Sequence, residues 1–413
     1  MNVTLSVTAG PHAGRAFVFD RHDTFLVGRS KDAHFQLSYD DPYFSRRHFL
    51  VEVNPPLVRV YDLNSRNGIA VNGEKVRTAD LRNGDELKAG HTVFRVTVPP
   101  PDPDEWRTLD LPAAAPTPAT TVSHGAAPLP ETTVSHDGAP PVPGYVVERE
   151  LGRGAMGVVY RASRESDGRA LAVKLIKPAA SVSRKDMDRF VRESAIMAKL
   201  DHPHVVRYFD SGLSAGALYL VMELVTGPDL AARVKRYGPM DVPGAVRMSI
   251  HMLDGLAHAH EKGFVHRDVK PSNLLLDGPK ARRVVKVADF GLARAYNECQ
   301  ISGLTMQGEV GGTPAFMAPE QVTHYRAVKP PADQYAAAAT LYYLLTGRYV
   351  MDFEPTLAAQ MIQIATDERV PIRERRADVP KELAAVVHKA LALEPGKRYA
   401  DVTAFRNALR PFA

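Results

Sequence analysis

His266-Arg267-Asp268-Val269-Lys270-Pro271-Ser272-Asn273, followed sixteen residues later by Asp289-Phe290-Gly291, sets two carboxylates, an amide and a cation on two neighbouring segments. Hard oxygen ligands of this kind suit Mg²⁺ held against phosphates, and a carboxylate among them can take a proton from an attacking hydroxyl. Either tripeptide alone, His-Arg-Asp or Asp-Phe-Gly, reads equally well as a turn. In this order and at this spacing they point to phosphoryl transfer.

Upstream, Leu151-Gly152-Arg153-Gly154-Ala155-Met156-Gly157-Val158-Val159 spells G-x-G-x-x-G-x-V. Glycines let backbone amides approach phosphate oxygens with no Cβ in the way. A dinucleotide-binding turn uses the same glycines but runs into a helix; here a strand follows, and Lys174 in Ala172-Val173-Lys174 stands seventeen residues after Gly157. Apolar residues at Met187, Phe190, Val191, Met197 and Leu200 predict a helix over about 186–200, which carries Glu193. Beyond Leu230 helical periodicity dominates, with helices expected over 246–260, 334–345 and 382–393. The pattern is a small β-rich lobe followed by a larger helical one.

With these motifs in this order, residues 145–410 resemble a eukaryotic-type (Hanks-type) serine/threonine protein kinase domain, "DVKPSN" resembling the serine/threonine branch. The resemblance implies the bilobal α+β kinase fold, ATP and Mg²⁺ as cofactors, and roles for matching positions. Lys174 would hold the α- and β-phosphates and pair with Glu193. Asp268 would be the catalytic base, Lys270 would support the transferred phosphate, and Asn273 and Asp289 would bind the metal. The nucleotide would lie among Leu151, Gly152, Gly154, Gly157, Val159 and Ala172, with Met222 behind the adenine and backbone groups of Glu223 and Val225 at its edge. Met222 reads equally as core. Glu320, in Ala318-Pro319-Glu320, would pair with Arg398, and Thr313 would face a protein substrate. Ser302 and Thr305, between Asp289 and Glu320, are candidate phosphosites, with Arg267 and Arg294 as phosphate partners.

The first 98 residues read differently. Segments such as Leu5-Ser6-Val7, Phe17-Val18-Phe19, Phe49-Leu50-Val51-Glu52-Val53 and Val58-Arg59-Val60 lie between turn signals at Asn67-Gly68, Asn72-Gly73 and Asn83-Gly84, which is an all-β sandwich pattern. Polar clusters Gly28-Arg29-Ser30, Phe44-Ser45-Arg46-Arg47-His48 and Asn64-Ser65-Arg66-Asn67-Gly68 suit loops at the end of such a sandwich. Jointly they resemble a forkhead-associated (FHA) domain, a phosphothreonine-binding module. That resemblance implies that Arg29 and Ser45 hold the phosphate with help from Arg46. Arg66 and Asn67 would hold the ligand backbone, and His48 would brace the loop from inside. Ile69 departs from the family, which often has Thr after Asn-Gly.

Between the two, residues 99–143 hold twelve prolines and few large apolar residues, and read as a flexible linker. Such a chain would span roughly 35–40 Å root-mean-square. It contains a near repeat, Thr120-Thr121-Val122-Ser123-His124 and Thr132-Thr133-Val134-Ser135-His136, in which Thr121 and Thr133 are candidate phosphosites. Duplication of low-complexity sequence is the plain alternative.

Three segments are thus expected: 1–98, 99–143 and 144–413. A net charge of +5 over 413 residues does not suggest nucleic-acid binding, and the longest apolar run, 335–345, is too short for the roughly 20 residues that cross a bilayer. One cysteine, Cys299, excludes an internal disulfide. A cytoplasmic, bacterial serine/threonine kinase that autophosphorylates is the expectation. Its partners would be protein substrates and phosphothreonine proteins or its own phosphorylated copies. A non-catalytic scaffold and a small-molecule kinase are the rivals.

Overall fold

Alternating side chains turn the N-terminal segment into two stacked sheets. A computed structural model describes residues 2–37, 41–98, 141–154, 157–176, 197–279, 282–290 and 314–413. Its first strands are β1 (Val3–Ala9), β2 (Ala16–Phe19), β3 (Asp23–Gly28), β4 (Phe35–Gln36), β5 (Phe49–Asn54) and β6 (Leu57–Asp62). They continue with β7 (Ile69–Val71), β8 (Glu74–Val76), β9 (Thr78–Leu81), β10 (Glu86–Ala89) and β11 (Thr92–Thr97). One sheet runs β2-β1-β11-β10-β7-β8 and the other β4-β3-β5-β6-β9. Leu5, Val27, Phe49, Val51, Val60 and Phe94 fill the space between them. The expected sandwich is there, with Asn72 (φ 50°) and Gly73 (φ 89°) forming the two-residue turn between β7 and β8.

Loop positions are set from inside. His48 is buried; its Nδ1 accepts the Ser45 N–H at 3.0 Å and its Nε2 meets the Gly68 carbonyl at 3.1 Å. A neutral ring protonated on Nε2 satisfies both. Gly28 is required by packing, because a Cβ there would stand 2.2 Å from the Arg46 carbonyl oxygen. No other residue lets those loops approach so closely.

The small lobe of the second unit is the antiparallel sheet β12-β13-β14-β16-β15, made of β12 (Tyr145–Gly154), β13 (Gly157–Arg164), β14 (Ala170–Ile176), β15 (Tyr208–Ser214) and β16 (Ala217–Glu223). Val142 is buried in its core and bridges to Tyr145. The expected linker therefore stops short of residue 143; residues 99–140 lie outside the described ones, as do 177–196 of the expected helix over 186–200.

The large lobe contains α1 (Leu230–Tyr237), α2 (Val242–Glu261), the hairpin of β17 (Leu274–Asp277) and β18 (Val284–Val287), then α3 (Pro319–Thr323) and α4 (Pro331–Thr346). It ends with α5 (Leu357–Thr366), α6 (Ile372–Arg375), α7 (Lys381–Ala390) and α8 (Val402–Leu409). Helix α4 holds the long apolar run and is buried on nearly every side, so it shows no polar stripe. Asp241 caps α2 through the Gly244 N–H, and Gly347, at φ 67°, ends α4 in the left-handed conformation that glycine adopts without strain.

Arg398, with no exposed side-chain surface, grips Glu320 through two bonds of 2.6 and 2.8 Å and donates to the carbonyls of Ala392 and Pro331. This joins the start of α3 to the segment between α7 and α8. Arg398→Ala strands a largely buried carboxylate and should cost about 3–5 kcal/mol of large-lobe stability, read by chemical denaturation.

For the sandwich, burial lowers the His48 pKa below the ordinary 6.5, against the pull of the Gly68 carbonyl and nearby carboxylates. A depressed folded-state value means that the unfolded chain takes up protons first. Sandwich stability should therefore hold above about pH 6.5 and decline as pH falls below it. Melting curves between pH 7.5 and 5 should show a shallower pH slope for His48→Asn.

Candidate active site and recognition loops

The segments carrying Asp268 and Asp289 are bound together by their backbones. Ala288 donates its N–H to the Asn273 carbonyl at 2.9 Å, and the buried His266 reaches the Ala288 carbonyl through Nε2 at 2.9 Å. His266 Nδ1 accepts the Asp268 N–H at 3.2 Å, and its ring lies 4.6 Å from that of buried Phe290. Arg267 and Asp289 take positive φ, 68° and 60°, which costs a side-chain-bearing residue energy and has to be held by its surroundings.

Asp333 and Gln321 hold Arg267. The fully buried Asp333 carboxylate, at the start of α4, accepts the N–H groups of His266 (2.7 Å) and Arg267 (2.8 Å), and its Oδ2 lies 2.7 Å from His260 Nε2. Burial opposes its ionisation, yet the bond with His260 and the backbone N–H of His266 more than offset that, and its pKa lies below the usual carboxylate range. Gln321 Nε2 donates to the Arg267 carbonyl at 2.8 Å, while its oxygen accepts the Ala318 N–H at 3.0 Å. The reading of the sequence missed both residues. A carboxylate near the start of a helix with no exposed face was the available signal.

Functional side chains converge on this scaffold. Asp268 Oδ2 lies 2.8 Å from Lys270 Nζ, and Asn273 Nδ2 donates to the Asp268 carbonyl (2.8 Å) and carboxylate (3.1 Å). With its nitrogen committed to Asp268, Asn273 presents its oxygen as a ligand. Lys174 Nζ stands 2.7 Å from Asp289 Oδ2, joining a cation of the small lobe to a carboxylate of the large one. Glu193, expected beside Lys174, lies outside the described residues, as do Gly291, Arg294, Ser302, Thr305 and Thr313.

Above them, β12 and β13 form the roof. Gly152 and Gly154 have open space where a Cβ would point, so packing does not demand glycine there, and the absence of side chains leaves their backbone open to a ligand. Gly157 differs: at φ 140° its Cβ would fall 2.1 Å from the Leu175 carbonyl. Ala172 pairs with Met222 across β14 and β16, and both join Val159 and Val225 in an apolar cluster continuous with the large-lobe core. Met222 is thus a core residue. Leu151 is exposed on β12. The N–H of Glu223 is taken by the Arg207 carbonyl at 2.9 Å, so its contribution to an adenine edge would be its carbonyl.

Among the described residues no group of three His, Cys, Asp or Glu side chains could hold a metal unaided. Asn273 and Asp289 offer two oxygen donors, which fits an ion such as Mg²⁺ that draws further ligands from phosphates and water.

On the sandwich, Arg29, Arg46, Arg66 and Asn67 are exposed on three adjoining loops. Arg29 and Ser30 donate N–H groups to the carbonyls of Ser45 (3.0 Å) and Arg46 (2.8 Å). Ser45 Oγ accepts the Arg66 N–H at 2.9 Å and retains its own proton for an anion. Asn67 Nδ2 donates to the Tyr43 carbonyl at 2.7 Å, which leaves its oxygen for a ligand backbone. Three exposed arginines on loops joined at Ser45, with its hydroxyl as a further donor, suit a dianionic phosphate.

Both folded units match known families. Residues 145–409 match the protein kinase domain family and residues 25–90 the FHA domain family. The serine/threonine-protein kinase PkaA of Streptomyces coelicolor is 33% identical over 265 residues, 62% of this chain and 47% of that protein. The serine/threonine-protein kinase PknH of Mycobacterium bovis is 37% identical over 259 residues, 62% of this chain and 42% of its own length. The chain thus spans less than half of either relative. The crystal structure of the PknI kinase domain from Mycobacterium tuberculosis is similar at TM-score 0.52 and 28% identity, over 66% of this chain and 97% of that one. A structure of Rad53 1–466 with AMP-PNP, 21% identical at TM-score 0.54 and covering 99% of both chains, shares the fold. The chain belongs to the protein kinase family, and it carries an FHA domain ahead of its kinase domain.

Proposed function

We propose that this protein is an ATP- and Mg²⁺-dependent serine/threonine protein kinase whose FHA domain binds phosphothreonine in partner proteins, among them its own phosphorylated copies. The observation that carries the first half is the convergence of Lys174, Asp289, Asn273, Asp268 and Lys270 on one hydrogen-bonded scaffold. Asp268 takes the proton of the acceptor hydroxyl as that oxygen bonds to the γ-phosphorus, and the bond to the β–γ bridging oxygen breaks to release ADP. Lys174 orients the α- and β-phosphates, and Lys270 neutralises charge on the group in transit. Bound Mg²⁺ supplies further charge neutralisation on the phosphates. Asn273 and Asp289 are the residues that would hold it.

A serine or threonine hydroxyl, rather than a small molecule, is favoured by the Glu320–Arg398 pair, which anchors the Ala318-Pro319-Glu320 segment beside the catalytic loop. Curated relatives over this region are serine/threonine-protein kinases. Autophosphorylation is proposed at Thr305 or Ser302 and at Thr121 or Thr133, all outside the described residues. Phosphate on a linker threonine would be a ligand for Arg29 and Ser45 of the same or another copy. Among the described residues no helix is long and apolar enough to cross a membrane, and a cytoplasmic location is proposed.

Asp268→Asn and Lys174→Met should each lower phosphate transfer from ATP to a generic basic protein by at least about a hundredfold. Full transfer by either would discard the kinase assignment. Arg29→Ala should weaken binding of a phosphothreonine peptide about tenfold to a hundredfold, measured by calorimetry, the loss of a charge-assisted bond to phosphate. Equal affinity of the unphosphorylated peptide would count against the recognition site.

A further inference from the structure

The sheet that carries the recognition loops is apolar on both faces. Phe25, Val27, Phe49, Val51 and Val60 point into the sandwich core, while Leu26, Leu50, Tyr61 and Leu63 point the other way and are equally buried. An antiparallel sheet commonly leaves one face wet, so a second apolar face needs a cover. The cover is the kinase large lobe: Val322 of α3 and Met361, Ile364 and Ala365 of α5 form one cluster with those four residues. Buried Glu52, on the same outer face, meets the Tyr61 hydroxyl at 2.6 Å and His22 Nε2 at 3.5 Å, so its charge is not stranded.

A polar rim fixes the orientation. His324 Nε2 lies 2.6 Å from the Asp32 carbonyl, Tyr325 donates its N–H to Thr24 Oγ1 at 3.0 Å, and Arg326 reaches the His22 carbonyl at 3.1 Å and Asp23 at 3.3 Å. Arg47 donates to the Ala365 carbonyl and Asn64 to Thr366 Oγ1, both at 3.4 Å. Every loop that bears a recognition residue also bears a contact to the kinase: Asp32 follows Arg29, Arg47 follows Arg46, and Asn64 precedes Arg66. On the kinase side the contacts fall on α3, on the residues just after it and on α5, and α3 carries Gln321, which is bonded to the carbonyl of Arg267, next to Asp268.

We propose that the FHA domain is a fixed wing of the kinase's substrate-binding face, and that the preferred substrate is a protein already bearing a phosphothreonine at a set distance from the hydroxyl to be phosphorylated. The proposal rests on the kinase and phosphothreonine assignments above. A module swinging on a linker raises the local concentration of any phosphorylated partner over a wide range of spacings. A module clamped by its own recognition loops holds the phosphate at one place relative to Asp268 and selects a spacing.

The test uses the full chain and synthetic peptides in which a phosphothreonine and an acceptor serine are joined by spacers of increasing length, with the unphosphorylated peptide as reference. At one spacing the phosphothreonine should lower KM about tenfold or more with kcat unchanged, and little at others. Arg29→Ala should lose that gain. Ile364→Arg, which places a charge in the interface and is tolerated on a helix face once that face is open, should bind the phosphopeptide normally and phosphorylate the reference peptide normally, but show a weaker gain that no longer depends on spacing. Arg326→Glu should flatten the profile in the same way, and the charge swap with Asp23→Arg should restore it. An equal gain at all spacings in the wild type, or an unchanged optimum in Ile364→Arg, would overturn the proposal, and a gain that grows with enzyme concentration would replace it with recognition between copies. Absence of transfer to the reference peptide, or of phosphopeptide binding by the wild type, would remove the underlying assignments and the proposal with them.

Discussion

A single buried carboxylate holds the catalytic loop in shape. Asp333 collects the N–H groups of His266 and Arg267 and the Nε2 of His260, and Gln321 takes the Arg267 carbonyl. Arg267 is thereby bonded at both its amide and its carbonyl while its φ lies at 68°, a conformation it would otherwise leave. Asp268 and Asn273 depend on that turn, and through the Ala288 N–H so does the placement of Asp289. A buried charge contributes little to stability unless its partners are in place; here the partners are the loop itself, so the bonds that satisfy Asp333 also shape the site.

Charge is handled differently at the two sites. In the kinase cleft, cations and anions are paired ahead of any ligand, Lys174 with Asp289 and Lys270 with Asp268, so binding exchanges partners without exposing bare charge. On the FHA loops Arg29, Arg46 and Arg66 face solvent, and what is ordered beforehand is the backbone under them, through His48, Ser45 and Gly28. Exposed guanidinium groups on a hydrogen-bonded floor suit an exposed phosphate. The same floor also rests on α3 and α5, which joins the FHA domain to the large lobe of the kinase domain.

Much of this was legible in the chain itself. The order of motifs from Gly152 to Arg398, the alternation in β1, β5 and β6, and the Asn-Gly turn at Asn72 and Gly73 are local features, because each needs only a residue type at a spacing set by backbone geometry. The apolar run inside α4 marked a buried helix for the same reason. Strand β3 was missed because Phe25-Leu26-Val27 is apolar at consecutive positions and has no period-two signature, whereas β5 shows alternation at Val51-Glu52-Val53.

Sequence alone determined which motifs the chain carries and which two modules it contains, since residue identity and short-range spacing suffice for both. Only tertiary structure decided that Asp333 and Gln321, about fifty to sixty-five residues beyond Arg267, hold the catalytic loop, that Gly157 serves packing while Gly152 and Gly154 face open space, and that Val142 belongs to the small lobe. It also decided where the two modules meet. Leu26, Leu50 and Tyr61 say only that a second apolar face exists. That Val322, Met361 and Ile364 cover it follows from complementarity between surfaces some three hundred residues apart, which no local pattern encodes.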